Sequence, residues 1–163
     1  MFLLPADTKC PLVPRFFSSG EDDPDLAHEI TSRHAQSIHP DAITILVVDD
    51  DRSNLALAEA VLQAEGFQVC VAVDAVSTFE VLKTCTPSLI LMDIQLPEVD
   101  GWEVTRRLKA DAATTHIPVI AITAYGEAGD DRRARQAGFV DFLSKPISTR
   151  DLPRIVHRHL AGH

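Results

Sequence analysis

A chain of 163 residues with 45% hydrophobic and 24% charged residues has enough apolar material for one folded domain, which excludes global disorder. Its 15 basic and 24 acidic residues leave a net charge of −9, which argues against a nucleic-acid-binding surface and for cations or basic protein patches as ligands. No apolar run approaches membrane-spanning length, and the start, MFLLPADTKCPLVPRFF, lacks a basic n-region and is broken by Pro5, Pro11 and Pro14; a cytoplasmic protein without a signal peptide is expected.

Residues 1–42 hold five of the ten prolines and the acidic cluster EDDPD without sustained periodicity. They predict a flexible N-terminal extension ahead of a domain over residues 43–163. Within LAHEITSRHAQ, the run His28-Glu29-Ile30 is similar to the start of the phosphorylated histidine box of sensor kinases. The proline expected after it is missing, and the chain contains no kinase ATP-binding motif, so the segment reads as a short polar helix. His28, His34 and His39 lack a cysteine or acid at metal-ligand spacing and stay unassigned. The three cysteines, Cys10, Cys70 and Cys85, are odd in number and widely spaced. Two of them lie in apolar runs and read as small buried hydrophobes in a reducing compartment.

From Ile43 onward, strand-like and helix-like segments alternate. ITILVV is a first strand. SNLALAEAVLQAEG is a helix with Leu55, Ala58 and Leu62 on one stripe, and Gly66 is placed to end it in a left-handed cap. FQVCVA is a second strand, followed by a helix from Ala75 to Thr84 with Val76, Phe79 and Leu82 or Lys83 at helical spacing. LILM is a third strand, whose unbroken apolar run predicts burial on both faces. DGWEVTRRLKA starts a helix at Asp100, with Glu103 completing a capping box. IPVIAIT is a fourth strand, GDDRRARQAG a polar, exposed helix and VDFLS a short fifth strand. TRDLPRIVHRHL closes as a helix that tolerates Pro153 in its first turn. Five βα units in succession predict a parallel sheet covered by helices on both faces.

Ligands of an open α/β sheet bind beyond the carboxyl ends of its strands. Those ends carry Asp49, Asp50 and Asp51 on the first strand, Asp93 on the third, Thr123 on the fourth, and Ser144 and Lys145 on the fifth. Helix initiation accounts for one of the three consecutive aspartates, because a carboxylate suits the positive end of a helix dipole. It does not account for acids, a hydroxyl and an amine meeting at one rim. Two carboxylates about 4 Å apart repel by about 4 kcal/mol at an effective dielectric near 20, so such a cluster holds either protons or a cation. Hard oxygen donors with room for water suit Mg²⁺. Magnesium beside a carboxylate able to act as nucleophile points to phosphoryl transfer through an aspartyl phosphate, with Asp93 as the working group.

ILVVDDDRSN, LILMDIQLPEVDGWEV, PVIAITAY and DFLSKPIS resemble, in sequence and in spacing, the motifs of response regulator receiver domains of two-component systems. The resemblance runs from Ile43 to Leu160, and within the family the chain is most similar to small single-domain regulators of the DivK type. It implies the flavodoxin-like, CheY-like (βα)5 fold, a doubly wound five-stranded parallel sheet of order 2-1-3-4-5. It also implies that Asp93 takes a phosphoryl group from a phosphohistidine on a sensor histidine kinase or a histidine phosphotransfer protein. Asp50 would bind Mg²⁺ directly, Asp49 largely through water and Gln95 through its backbone carbonyl, with Asp93 itself in the set. Lys145 would pair with Asp93 before phosphorylation and with phosphoryl oxygens after it. Thr123 would hydrogen-bond the phosphoryl group, and Phe142 would change rotamer with it. The implied role is that of a phosphoacceptor signalling protein that assists its own phosphorylation and dephosphorylation, not of an enzyme. Receivers often carry a cis bond where this chain has Lys145-Pro146, so a cis bond is expected there. Pro97 and Asp100-Gly101 read as loop-shaping residues, and Trp102 as packing.

Two other function classes fit less well. Aspartate-nucleophile phosphatases of the haloacid-dehalogenase type place the nucleophile on the first strand as Asp-x-Asp-x-Thr/Val, a pattern that Asp49 to Ser53 does not satisfy. A receiver-shaped module that never accepts phosphate is disfavoured by the complete set of acids, Thr123 and Lys145. With no second domain after His163, output is expected to pass through a downstream protein and not through attached DNA binding. The expected surface is formed by the fourth helix, the fifth strand and the last helix, with Arg132, Arg133 and Arg135 beside it.

Overall fold

The structure is a computed structural model that describes residues 43–124 and 131–161, with the side chains of Asp131, Arg132 and Arg133 not described. The extension expected over residues 1–42 lies outside the described residues. Strands and helices alternate as β1 (Thr44–Val48), α1 (Arg52–Ala64), β2 (Gln68–Ala72), α2 (Ala75–Leu82) and β3 (Leu89–Asp93). They continue as α3 (Gly101–Ala110), β4 (Val119–Thr123), α4 (Asp131–Ala137), β5 (Phe139–Ser144) and α5 (Asp151–Leu160). Every strand pairing is parallel, and the order β2-β1-β3-β4-β5 is the one the family resemblance implies.

The period-two alternation of strand side chains divides the core between two faces. Ile45 and Val47 of β1, Leu89 and Leu91 of β3, and Ile120 and Ile122 of β4 meet Leu55, Ala58 and Leu62 of α1 and Leu152, Ile155 and Val156 of α5. Leu46 and Val48, Ile90 and Met92, and Val119 and Ala121 pack on the opposite face, with Val104 and Leu108 of α3 and Ala134 and Ala137 of α4. Each fully buried Leu or Ile contributes about 1.5–3 kcal/mol relative to exposure. Strands that are apolar at every position gain this only when helices cover both faces, which is the arrangement found.

Local signals set the element ends. The Asp51 carboxylate caps α1 by accepting the Ser53 N–H at 2.7 Å. Gly66 follows α1 with φ +88°, the left-handed conformation its position predicts. At α2 a complete capping box is present: Asp74 accepts the Ser77 N–H at 2.7 Å, and the Asp74 N–H donates to Ser77 Oγ at 3.1 Å. At α3 the expected box is corrected to its first half. Asp100 accepts the Glu103 N–H at 2.8 Å, but the Glu103 carboxylate turns to Arg107 at 3.0 Å and Arg106 at 3.6 Å, cations one turn on. The apolar stripe of α2 also differs from expectation. Ala75 and Thr78 face the sheet and Val76 is 68% exposed, because the Asp74 cap sets Ala75 inward and the next residue lies about 100° around the helix. Trp102 packs edge-to-face on Phe139 at 5.2 Å, and the Lys145–Pro146 bond is cis.

Asp141 ties β5 to α5. Its carboxylate accepts the Phe142 N–H at 2.8 Å and pairs with His159 at 2.8 Å and with Arg158. Burial pushes its pKa up, but the bonds from His159 and Phe142 and the charges of Arg158 and His159 outweigh this and leave it below the usual carboxylate range. A folded pKa below the unfolded value gives stability that is present above about pH 4 and lost as pH falls through the folded value. Asp141→Asn is therefore expected to cost about 1 kcal/mol or less at pH 7, since the site is partly exposed, and nothing once the wild-type carboxylate is protonated. Urea unfolding midpoints followed downward from pH 7 measure the difference; a deficit that does not shrink as pH falls would refute the assignment.

Candidate functional site

The sheet grows to one side of β1 with β2 and to the other with β3, so the carboxyl ends of β1 and β3 border the crevice where sequence order reverses. Asp49 follows β1 and is fully buried; Asp93 ends β3 and is 1% exposed. Asp50, the next residue after Asp49, is exposed on the rim, and one carboxylate oxygen from each of the three acids lies within 4.8 Å of the others. Asp49 accepts the Asp51 N–H at 2.8 Å and the Asn54 amide at 3.1 Å on each oxygen. Asp93 Oδ1 accepts the N–H of Gln95, an exposed residue, at 2.9 Å. Lys145 follows β5 and sets its Nζ 2.6 Å from Asp93 and 3.0 Å from Asp49.

The fourth and fifth strands deliver the remaining groups. Thr123 ends β4, is 1% exposed and donates its hydroxyl to the Ala124 carbonyl at 3.1 Å. Its own carbonyl accepts the Lys145 N–H at 2.7 Å, which fixes the root of the lysine beside it. Ser144, opposite Thr123 in register, is exposed. Phe142 lies opposite Ala121, half-buried against Phe139, and lines a groove of about 460 Å³ between β5 and α5 with Ser144, Asp151, Ile155 and Arg158. Arg135 is exposed on α4; the side chains of Arg132 and Arg133 lie outside the described residues.

Electrostatics follow from one ammonium serving two buried acids. Burial pushes the Asp93 carboxyl up and Asp49 adds to it, so that the bonds from Lys145 and Gln95 offset the rise without cancelling it. For Lys145, burial pulls down, but the hydrogen bonds and charges of Asp93 and Asp49 outweigh it and raise the pKa. The lysine is thus secure in its charge, while ionised Asp93 retains a cost. One ammonium against three carboxylates leaves two formal negative charges uncompensated. That charge, the hard oxygen donors and the open rim at Asp50 fit a Mg²⁺ ion, which accepts one or two carboxylates and keeps several waters.

One contributor to this geometry, Asn54, was not read from the sequence, and another, Gly101, was read only as loop-shaping. Asn54 holds both oxygens of Asp49 from the first turn of α1; its polarity five residues after an aspartate was the available signal. Gly101 lies against the backbone of Asp93, where an added Cβ would sit 2.1 Å from the Asp93 carbonyl oxygen.

The sequence profile of the response regulator receiver domain matches residues 45–157. The chain belongs to the response regulator receiver family. It is 41% identical over 113 residues to the polar-differentiation response regulator DivK of Brucella anthropi, a match covering 69% of this chain and 89% of that protein. Among solved structures it is similar to a putative response regulator from Chloroflexus aurantiacus, with TM-score 0.69, 28% identity, and coverage of 74% of this chain and 98% of that one. It is likewise similar to the receiver domain of a sensor histidine kinase from Pseudomonas aeruginosa, solved with a magnesium ion coordinated in its active site cleft. That match has TM-score 0.66 and 33% identity and covers 74% of this receiver chain and 98% of the other. Membership places the protein in two-component signalling, with histidine kinases and downstream targets as its classes of partner. Among the described residues, no helix is long and apolar enough to cross a membrane.

Proposed function

We propose that the protein is a cytoplasmic DivK-type response regulator that accepts a phosphoryl group on Asp93 and signals through a phosphorylation-dependent protein contact. The supporting observation is Lys145, 2.6 Å from Asp93 and 3.0 Å from Asp49 in a pocket of three acids. In this reading residues 43–163 are the receiver and residues 1–42 an extension to it. An Asp93 oxygen attacks the phosphorus of a phosphohistidine on a sensor kinase or phosphotransfer protein; the P–N bond breaks and the imidazole leaves. Asp50 directly, Asp49 largely through water, Asp93 and the Gln95 carbonyl would hold Mg²⁺, which when bound would supply positive charge against the acids and the phosphoryl oxygens. Lys145 passes from the carboxylate to the phosphoryl oxygens, and Thr123 donates its hydroxyl to one of them. Phe142 then turns into the space that Thr123 vacates. The face of α4, β5 and α5 is the two-state element, which phosphate biases by binding one arrangement better than the other. Exposed Arg135 flanks that face.

Asp50→Asn removes the acid on the open rim and is expected to weaken Mg²⁺ binding by about tenfold or more, and more than Asp49→Asn does. Titration by Trp102 fluorescence or NMR tests this, and undiminished affinity in the double variant would place the metal elsewhere. Thr123→Ala is expected to leave Asp93 phosphorylatable while abolishing most of the phosphate-dependent gain in partner affinity. Partner binding with and without beryllofluoride, in wild type and variant, tests the switch; equal wild-type affinity in both states would refute it.

A further inference from the structure

Cys70 and Cys85 stand outside the acidic rim. Cys70 lies in the edge strand β2, in register with Leu46, and packs on the sheet face that carries α2, α3 and α4. Cys85 comes just after α2, and its N–H donates to the Val81 carbonyl at 2.8 Å, which curls the chain back toward β2. Residues 15 apart in sequence thus meet in space, with their Sγ atoms 2.6 Å apart. Cys85 is buried and Cys70 partly exposed, so a small oxidant reaches one sulfur while the other waits behind it.

We propose that Cys70 and Cys85 are a modification site, forming a reversible intramolecular disulfide with a hydroperoxide and stapling α2 to strand β2. The Cys70 thiolate attacks a peroxide oxygen, the O–O bond breaks, and Cys70 becomes a sulfenic acid as hydroxide leaves. The Cys85 sulfur then attacks the Cys70 sulfur, forming the S–S bond and expelling the hydroxyl group, which departs as water with the thiol proton. With hydrogen peroxide, two thiols lose two protons and two electrons in total, and one peroxide becomes two waters. Cys70 is the attacking sulfur because it is the more accessible, and the hydrogen bond from Cys85 holds its thiol below the usual cysteine range. A dithiol returns the pair to the reduced state by exchange. The closed loop contains all of α2, so the bond restrains that segment in the unfolded chain.

The test uses the full chain carrying Cys10→Ser, so that two thiols remain. Treatment with hydrogen peroxide, unfolding and maleimide labelling are expected to find both thiols lost and a Cys70–Cys85 cross-linked peptide by mass spectrometry. The product should stay monomeric on a non-reducing gel, regain both thiols with dithiothreitol and melt about 5 °C higher than the reduced protein. Adding Cys85→Ser should halt the reaction at a dimedone-reactive sulfenic acid on Cys70. Thiols that still label, cross-linking only between chains, or an unchanged melting temperature would overturn the staple. Oxidation of Cys70 to sulfinic acid equally fast with and without Cys85 would overturn the resolving role.

Discussion

Asp93→Asn is expected to reduce Mg²⁺-dependent labelling by a small phosphodonor on the order of 1,000-fold or more, to background. The substitution keeps the shape of the side chain and an oxygen able to accept the Gln95 N–H, which Asp93 accepts at 2.9 Å. What it removes is the nucleophile, because an amide oxygen does not form a stable acyl phosphate. Loss of folding is not an alternative explanation. Burial raises the Asp93 pKa, so its ionised form is disfavoured in the folded protein. A raised folded pKa gives stability that is present at low pH and lost as pH rises through it, and at pH 7 the neutral amide is relieved of that cost. The variant gives up the Lys145 bond at 2.6 Å in exchange, so the two effects oppose and the metal-free variant should remain folded at the labelling temperature, which its melting curve checks. Lys145 keeps a partner in Asp49 at 3.0 Å. Wild type should gain one phosphoryl group that hydroxylamine removes, and equal labelling of the variant would remove the central proposal.

The parts of this molecule that were legible in its sequence are those where one residue carries one signal. Apolar runs such as Leu89 to Met92 announce doubly covered strands, and in a parallel sheet the residue after each run must fall on the same rim. That logic brings Asp49, Asp93, Thr123 and Lys145 to one edge from the sequence alone, and in the structure all four lie there. Features that depend on the rotational phase of a helix were not legible. Val76 keeps helical spacing with Phe79 yet points outward, because the Asp74 cap fixes the phase at Ala75. Asn54 reaches Asp49 only because α1 begins where Asp51 caps it. Cys70 and Cys85 look independent until the length of α2 and the turn after it are known. Asp100-Gly101 was readable as a turn, but not the contact that makes its glycine necessary.

That contact makes Gly101→Ala the substitution with the largest expected effect on folding. Propensity alone gives the opposite sign, since alanine within a helix is favoured over glycine by about 1 kcal/mol. Gly101 opens α3, and its N–H donates to the Ile94 carbonyl at 3.0 Å, closing the loop that follows Asp93. A Cβ there would meet the Asp93 carbonyl oxygen at 2.1 Å, Ile94 Cα at 2.8 Å and the Asp93 carbonyl carbon at 2.9 Å. All three are backbone atoms, so no side chain can rotate away to make room. If α3 recedes, the Gly101–Ile94 bond breaks and Trp102, Val104 and Leu108 lose packing in the core cluster they share. If the end of β3 recedes instead, Asp93 moves relative to Lys145, now 2.6 Å away. Either route is expected to cost about 3 kcal/mol or more, at the upper end for overpacking against atoms that cannot relax. Phosphorylation of the fraction that remains folded should fall about tenfold or more, because a nucleophile displaced by about 1 Å loses rate steeply. Urea unfolding gives the first quantity, and the initial rate of labelling at a temperature well below the variant's melting point gives the second. Stability equal to or above wild type would mean that propensity wins and that the junction of β3 and α3 yields without cost.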